Sequence, residues 1–138
     1  MIILDTNVIS ELVRPKPEPS VKAWVAAADE NLLYLSVLTL GEIRKGIASV
    51  KDAARRVTLE AWLSSDLVLR FAGRLLAIDQ PVADRWGRLA AQVGPKSLLP
   101  VIDGLLAATA LHHNLTLVTR NIKDVAATAV PVFNPWSA

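Results

Sequence analysis

Three acidic residues lie where apolar segments of the chain end or begin. Asp5 directly follows the apolar start of the chain, Glu42 lies in the first turns after residues 32–37, and Asp103 lies early in an apolar segment that leads to residues 115–118. If these segments include parallel strands, the carboxyl ends of the strands meet at one edge of the sheet and bring the acids together. Clustered carboxylates repel one another unless a cation neutralises them, and Mg²⁺ prefers such oxygen ligands. The pattern therefore predicts a carboxylate site for Mg²⁺ or Mn²⁺.

Each acid taken alone has a simpler explanation. Asp5 is a typical helix-capping residue, Glu42 a typical solvated helix acid, and Asp103 an acid favoured by the dipole of a helix N-terminus. The chain has no cysteine, and its two histidines, His112 and His113, are adjacent at a predicted helix end where a structural role is expected. The shared placement of the three acids, rather than any one of them, supports the predicted site.

Short apolar segments alternate with amphipathic segments along the chain. The predicted strands are 2–4, 32–37, 75–78, 115–118 and, at one edge, 130–133; the predicted helices are 7–13, one opening at 20, one capped near Thr39, 52–65, 81–93 and 101–113. This alternation is typical of an α/β fold with a mainly parallel sheet. We expect a single domain, residues 1–138, with a twisted sheet of four or five strands and helices on both faces.

The composition indicates a packed globular domain. Hydrophobic residues make up 52% and charged residues 20% of the 138 residues, which argues against disorder. No apolar run approaches the roughly 20 residues of a membrane span, and the start lacks the basic region of a signal peptide. We therefore expect no membrane association, and the lack of cysteine is compatible with the cytoplasm. The formal net charge of +2 permits a polyanionic partner without requiring one.

Five segments together resemble a known family. LDTNVISEL at the start, LTLGEIRKGI, VIDGLLAATA, LTLVTRN and a final NPW follow the order found in PIN-domain proteins, and the chain is most similar to the VapC/FitB toxins of bacterial toxin–antitoxin pairs. The resemblance implies a PIN-like three-layer sandwich and a metal-dependent endoribonuclease that hydrolyses RNA phosphodiester bonds. It assigns catalysis and metal binding to Asp5, Glu42 and Asp103.

The resemblance also assigns polar residues around the three acids. The residues that match positions near the family's site, and that would position the substrate or the carboxylates, are Thr6, Asn7, Ser10, Arg120 and Asn121. Many PIN domains carry a fourth acid where this chain has Asn121. Asp124, three residues later, is either the replacement for that acid or an ordinary surface residue, so the number of bound ions stays open.

Basic residues in segments near the same edge are candidates for contacts with RNA phosphates. They are Arg14, Lys16, Arg44, Lys45, Arg120 and Lys123. Contacts of this kind position a nucleic-acid strand but do not read its sequence.

The family resemblance further implies partners. It predicts a homodimer and a small VapB-like antitoxin whose tail blocks the acidic site, with operator DNA bound only through the antitoxin. The apolar residues Trp24, Val57 and Trp62 are candidates for the dimer interface.

Two other functions stay open on the residues alone. A phosphatase of the haloacid-dehalogenase type also begins with an apolar strand and an aspartate, but its chemistry needs a second acid where this chain has Asn7. The other alternative is a catalytically inert PIN-fold binding module that acts through its antitoxin partner or a DNA-bound complex. An inert module leaves the clustered acids unexplained, because unpaired carboxylates only lower stability.

Overall fold

A computed structural model describes residues 1–96 and 98–137, and these residues form one five-stranded sheet. The strands are β1 (Ile2–Leu4), β2 (Leu33–Ser36), β3 (Leu75–Leu76), β4 (Thr116–Val118) and β5 (Val132–Phe133). Their order is β3-β2-β1-β4-β5, and every neighbouring pair is parallel. Because β1 lies at the centre between β2 and β4, the carboxyl ends of these three strands share one edge.

Eight α-helices connect the strands in the described part of the chain. They are α1 (Thr6–Leu12), α2 (Pro19–Ala27), α3 (Val37–Ala48), α4 (Ala53–Ala61), α5 (Val68–Arg70), α6 (Gln80–Val93), α7 (Val101–His113) and α8 (Ile122–Val125). A π-helical segment, Trp62–Leu67, joins α4 to α5, and 3₁₀ turns lie at Glu30–Leu32 and Ala126–Thr128. None of the helices in the described ranges is long and apolar enough to cross a membrane.

The central strand separates two buried clusters, one on each face of the sheet. Successive side chains of a strand point to opposite faces. Leu4 packs in a cluster with residues of α1, α2, α3 and the π-helical segment, whereas Ile3 packs in a second cluster with residues of α7 and β4. Both side chains are fully buried. The predicted α/β fold with three layers is confirmed, and the sheet has five strands.

Three predicted boundaries differ from the structure. Helix α3 is capped by Ser36, whose hydroxyl accepts from the backbone N–H of Leu38 at 3.1 Å, so Thr39 lies inside the first turn instead of capping it. The helix predicted to end near 65 continues through the π-helical segment to Arg70, and Leu63 and Leu67 of that segment are buried in the core. Strand β3 contains only two residues. None of these differences moves the edge at which β1, β2 and β4 end.

Candidate metal centre

Asp5 links the end of β1 to the start of α1. Its backbone N–H donates to the carbonyl of Val118 at 2.9 Å, which continues the pairing between β1 and β4. One carboxylate oxygen, Oδ1, accepts from the backbone N–H of Thr6 at 2.6 Å and so caps α1. The other, Oδ2, accepts from the Thr119 hydroxyl at 2.7 Å and from the Asn7 amide at 3.3 Å. Asp5 is therefore both the helix cap and a carboxylate held in one orientation.

The pKa of Asp5 reflects two opposing influences. Its side chain is only 7% exposed, and this burial raises the pKa above the ordinary value. The hydrogen bonds from Thr119, Thr6 and Asn7 lower it, and the nearby charge of Glu42 raises it again. The net effect is a rise in the pKa, and burial is its largest cause.

Glu42 approaches the same edge from the second turn of α3. Its Oε1 accepts from the Thr6 hydroxyl at 2.6 Å, and the hydroxyl of the buried Thr39 lies 3.2 Å from the Thr6 oxygen. A chain of two hydroxyl groups thus connects α1 with α3. It fixes one oxygen of the Glu42 carboxylate and leaves the other, Oε2, available.

Asp103 enters the site from the first turn of α7. Burial raises its pKa from the ordinary value of 3.8 to about 6, and the charges of Asp5, Asp124 and Glu42 contribute in that order. An acid feels other acids in this way only when they lie close to it. Asp103 therefore lies in negatively charged surroundings to which Asp5, Asp124 and Glu42 all contribute.

The donor set fits a hard divalent cation that keeps several of its waters. Among the described residues, no group of three or more histidine, cysteine or acidic side chains is drawn together tightly enough to enclose an ion by itself. Mg²⁺ needs no such cage, since it is usually bound through one or two carboxylates and retains water. The side-chain oxygen of Asn7, next to Asp5, is buried without a partner in the described structure and is one more acceptor suited to a hydrated cation.

The residues predicted to surround the acids have different environments. Thr6 and Asn7 contact the carboxylates of Glu42 and Asp5 directly. Ser10 is exposed and lines a small cleft of about 140 Å³ that also borders Glu42. Asn121 contributes its backbone N–H, which donates to the Thr119 hydroxyl at 3.0 Å, while its side chain is exposed.

Asp124, the candidate to replace the acid absent at Asn121, lies three residues later in the chain. It is exposed and lies within the short helix α8, which begins directly after Asn121. Its charge nevertheless raises the pKa of Asp103. Asp124 is therefore close enough to influence the site, although its carboxylate is solvated.

Sequence reasoning missed two threonines of this site. Thr119 is 1% exposed and binds Asp5, and Thr39 is fully buried beside Thr6. A signal for Thr119 was present, because a threonine directly after an apolar strand stands at the same edge as the acids. Thr39 carried no signal, since a threonine in the first turn of a helix is usually read as a cap.

Two of the basic residues proposed for phosphate contacts have partners within the chain. Arg14 forms a salt bridge of 3.3 Å with the buried Glu11, and Arg44 donates to the hydroxyl of Ser64 at 3.2 Å. Arg120 instead lies over the ring of Trp136, with its guanidinium carbon 5.3 Å from the ring centroid. Arg120 is thus held at the carboxyl edge of β4 by an aromatic contact that leaves its donors free of any salt bridge with a described acid.

The parallel sheet and the carboxylates at its edge make this chain an α/β protein with an acidic site at the ends of its strands. The PIN-domain family model matches residues 2–129, and the chain belongs to this family. The chain is 39% identical over 137 residues to toxin FitB of Neisseria gonorrhoeae, covering 99% of both chains. It is 36% identical over 137 residues to VapC ribonuclease Y4jK of Sinorhizobium fredii, covering 99% of this chain and 98% of that protein.

A solved structure has nearly the same fold. In the structure of FitAB bound to an IR36 DNA fragment, the matching chain superposes with a TM-score of 0.92 at 37% identity, covering 99% of this chain and 96% of the other. The likeness extends over essentially the whole length of both chains, so it includes the strand ends at which the acids lie.

Proposed function

We propose that this protein is a metal-dependent endoribonuclease and the toxin of a toxin–antitoxin pair. The observation that carries the proposal is the placement of three acids at the carboxyl edge of the sheet: Asp5 follows β1, Glu42 is hydrogen-bonded to the adjacent Thr6 at 2.6 Å, and Asp103 lies in the first turn of α7. The charges of Asp5 and Glu42 help to raise the pKa of Asp103, and clustered carboxylates of this kind lower the stability of the fold unless a cation neutralises them. The similarity to a FitB toxin and to a VapC ribonuclease supports RNA as the substrate and toxicity as the biological role.

The acids have separate roles in this proposal. Asp5 and Asp103 hold the divalent ion, for which Mg²⁺ is the physiological candidate and Mn²⁺ a substitute. A bound divalent ion supplies an activated water and neutralises charge on the phosphate. Glu42, fixed through Oε1 by Thr6, would have Oε2 available to orient the attacking water or to help hold a second ion. Thr119 and Asn7 orient Asp5 through hydrogen bonds, and the charge of Asp124 raises the pKa of Asp103.

Partners follow from the same similarity. The structure of FitAB was solved with bound DNA, and FitB is a relative of this chain. We propose that this chain likewise pairs with an antitoxin through which DNA is bound.

We also propose a homodimer that acts on RNA in the cytoplasm. Of the three candidate interface residues, Val57 is 63% exposed and suits an interface. Trp24, whose ring centroid lies 5.4 Å from that of Phe133, and Trp62 are both partly buried against the core.

The experiment that tests the proposal is cleavage of a labelled RNA pool by the purified protein, freed of any copurifying partner. Reactions contain Mg²⁺, Mn²⁺ or a chelator, and are repeated with Asp5→Asn and Asp103→Asn. Asp66→Asn is the matched control, because it removes an exposed carboxylate from the π-helical segment, outside the site. We expect cleavage that requires the metal, is retained by the control and is lost in both site variants, all of which stay folded.

Three results would contradict the proposal. Equal cleavage by Asp103→Asn and by the unchanged protein would show that the activity comes from a contaminant or from another site. Cleavage that persists in the chelator would remove the metal from the mechanism. A folded protein that binds no divalent ion and cleaves no RNA would favour the inert binding module.

A further inference from the structure

A cleft of about 550 Å³ opens beside Glu42, on the side of α3 that faces the start of α7. Its walls include the apolar side chains of Leu38 and Ile102, and Lys45 lies at the same cleft. Glu42 borders both this cleft and the acidic site. Ile102 directly precedes Asp103, so the cleft is continuous with the two helices that carry these acids.

Two glycines of α3, Gly41 and Gly46, line the cleft. Glycine in the interior of a helix destabilises the helix relative to alanine. The absence of a side chain at such a position therefore often has a structural or functional reason. At Gly104 the reason is packing within the chain, because an added Cβ would lie 3.0 Å from the indole nitrogen of Trp86. At Gly41 and Gly46, an added Cβ meets no atom within 4 Å. The same is true of Gly87 in α6, which does not line the cleft, so the observation shows only that larger side chains fit at Gly41 and Gly46 without a clash inside the chain.

We infer that the cleft receives a nucleobase of the RNA next to the phosphate that is cleaved, and so determines sequence preference. This inference rests on the proposed ribonuclease function and adds a specificity-determining surface to it. The volume lies in the range of roughly 300–1,000 Å³ that is typical of ligand pockets. Bases of single-stranded RNA are recognised after they leave the stack, when their flat faces need apolar walls.

Charge and position favour RNA over a protein segment as the occupant. Lys45 forms no salt bridge with a described residue and is free to meet a phosphate beside the bound base. Because Glu42 belongs to the cleft and to the acidic site, the cleft lies directly beside the place where the phosphate would bind. Contacts to the base there would read sequence, whereas contacts to phosphates do not.

The test fills the cleft without weakening the fold. In Gly46→Leu the new side chain occupies the cleft, and in Gly41→Ala a single methyl group narrows it. Gly87→Leu is the matched control, because Gly87 is an exposed glycine in the interior of α6, an added Cβ there also meets nothing within 4 Å, and it does not line the cleft. Each variant is assayed for its melting temperature, its molar mass in solution, its kcat/KM and the sequences at which it cleaves an RNA pool.

We expect all three variants to melt at or above the temperature of the unchanged protein. Gly46→Leu should lower kcat/KM at least tenfold at the preferred sites and weaken the preference at one nucleotide next to the cleaved bond. Gly41→Ala should have a smaller effect of the same kind, and Gly87→Leu none.

Other results would overturn the inference. If Gly46→Leu cleaves the same sequences at the same rate, no base enters the cleft. If it keeps its sequence preference but loses the dimer, or loses affinity for the purified antitoxin, the cleft is a protein interface. If the unchanged protein, folded and with metal bound, cleaves no RNA, the proposed function fails first and this inference with it.

Discussion

Thr119 and Asp5 are 114 positions apart in the chain, and a buried hydrogen bond of 2.7 Å joins them. A hydroxyl group has one proton to donate and can accept at its lone pairs. The Thr119 hydroxyl donates a hydrogen bond to Oδ2 of Asp5 and accepts one from the backbone N–H of Asn121 at 3.0 Å. Its orientation is thereby fixed from both sides, and β4 holds the carboxylate at the end of β1.

The first prediction concerns this hydrogen bond. Thr119→Val keeps the size of the side chain but leaves Oδ2 of Asp5 with only the longer contact to Asn7. Because loss of a group that orients a ligand typically weakens metal binding by about 10- to 100-fold, we expect that loss of affinity for Mn²⁺. Calorimetric titration of the metal-free protein measures it.

The control for this variant is Thr109→Val. Thr109 is also fully buried, but its hydroxyl donates to the carbonyl of Leu105 at 2.7 Å within α7 and contacts no acid of the site. It should alter stability and leave Mn²⁺ affinity unchanged. Equal losses of affinity in both variants would mean that general disturbance of the core, and not orientation of Asp5, controls metal binding.

The second prediction concerns pH and the stability of the metal-free protein. In the folded state the pKa of Asp103 is raised from 3.8 to about 6, so the folded state binds a proton more tightly than the unfolded chain does. The contribution of Asp103 to the free energy of unfolding is therefore most favourable below pH 4 and falls as the pH rises to about 6. Asp103→Asn should stabilise the metal-free protein at pH 7.5, by on the order of 1 kcal/mol after allowance for solvent screening of this half-buried group.

Urea unfolding in the presence of a chelator, at pH 4 and pH 7.5, measures this effect. At pH 4 a largely protonated aspartate and an asparagine are both neutral, so the two proteins should differ much less. Asp66→Asn, which changes an exposed acid in the π-helical segment, should show no comparable gain at pH 7.5. The same gain at both pH values would refute the electrostatic explanation.

The third prediction separates the hydroxyl of Thr6 from the rest of its side chain. That hydroxyl donates to Oε1 of Glu42 at 2.6 Å. Thr6→Val removes the donor and lets the carboxylate rotate, so kcat should fall about tenfold or more, because precise placement of a reacting water depends on it. Thr6→Ser keeps the donor and should retain most of the activity. Single-turnover cleavage of one RNA substrate decides this, and equal rates for Ser and Val would exclude an orienting role.

The sequence was sufficient to predict the fold and the placement of three acids at one edge of the sheet, because both depend on local patterns, whereas the catalytic role of the acids stays a prediction. The apolar runs that stop at Asp5 or precede Glu42 are short enough to favour strands over helices, and their alternation with amphipathic segments favours a parallel sheet. The hydroxyl groups that orient the acids were harder to predict. Thr119 reaches Asp5 only through the pairing of β1 with β4, and Thr39 reaches Thr6 only through the packing of α1 on α3. Contacts between distant segments leave little trace in a single sequence.

The fourth prediction concerns Trp136 as a positioning residue for Arg120. The guanidinium carbon of Arg120 lies 5.3 Å from the centroid of the Trp136 ring, and the backbone N–H of Trp136 is fixed by Asn134 Oδ1 at 2.9 Å. An exposed cation–π contact contributes about 0.5–1 kcal/mol, so its loss in Trp136→Leu should raise KM for RNA roughly two- to fivefold with kcat unchanged. Trp136→Phe keeps an aromatic face, so its KM should lie between the KM of the unchanged protein and that of Trp136→Leu.

A double-mutant cycle shows whether the tryptophan acts through the arginine. Arg120→Ala alone should raise KM and, by removing one phosphate contact, reduce the slope of log affinity against log salt concentration by about 0.7. If Trp136 serves to hold Arg120, adding Trp136→Leu to Arg120→Ala should change neither quantity further. Additive effects on KM would instead mean that Trp136 contacts RNA itself, and the indole ring would then be a stacking surface at the edge of the acidic site.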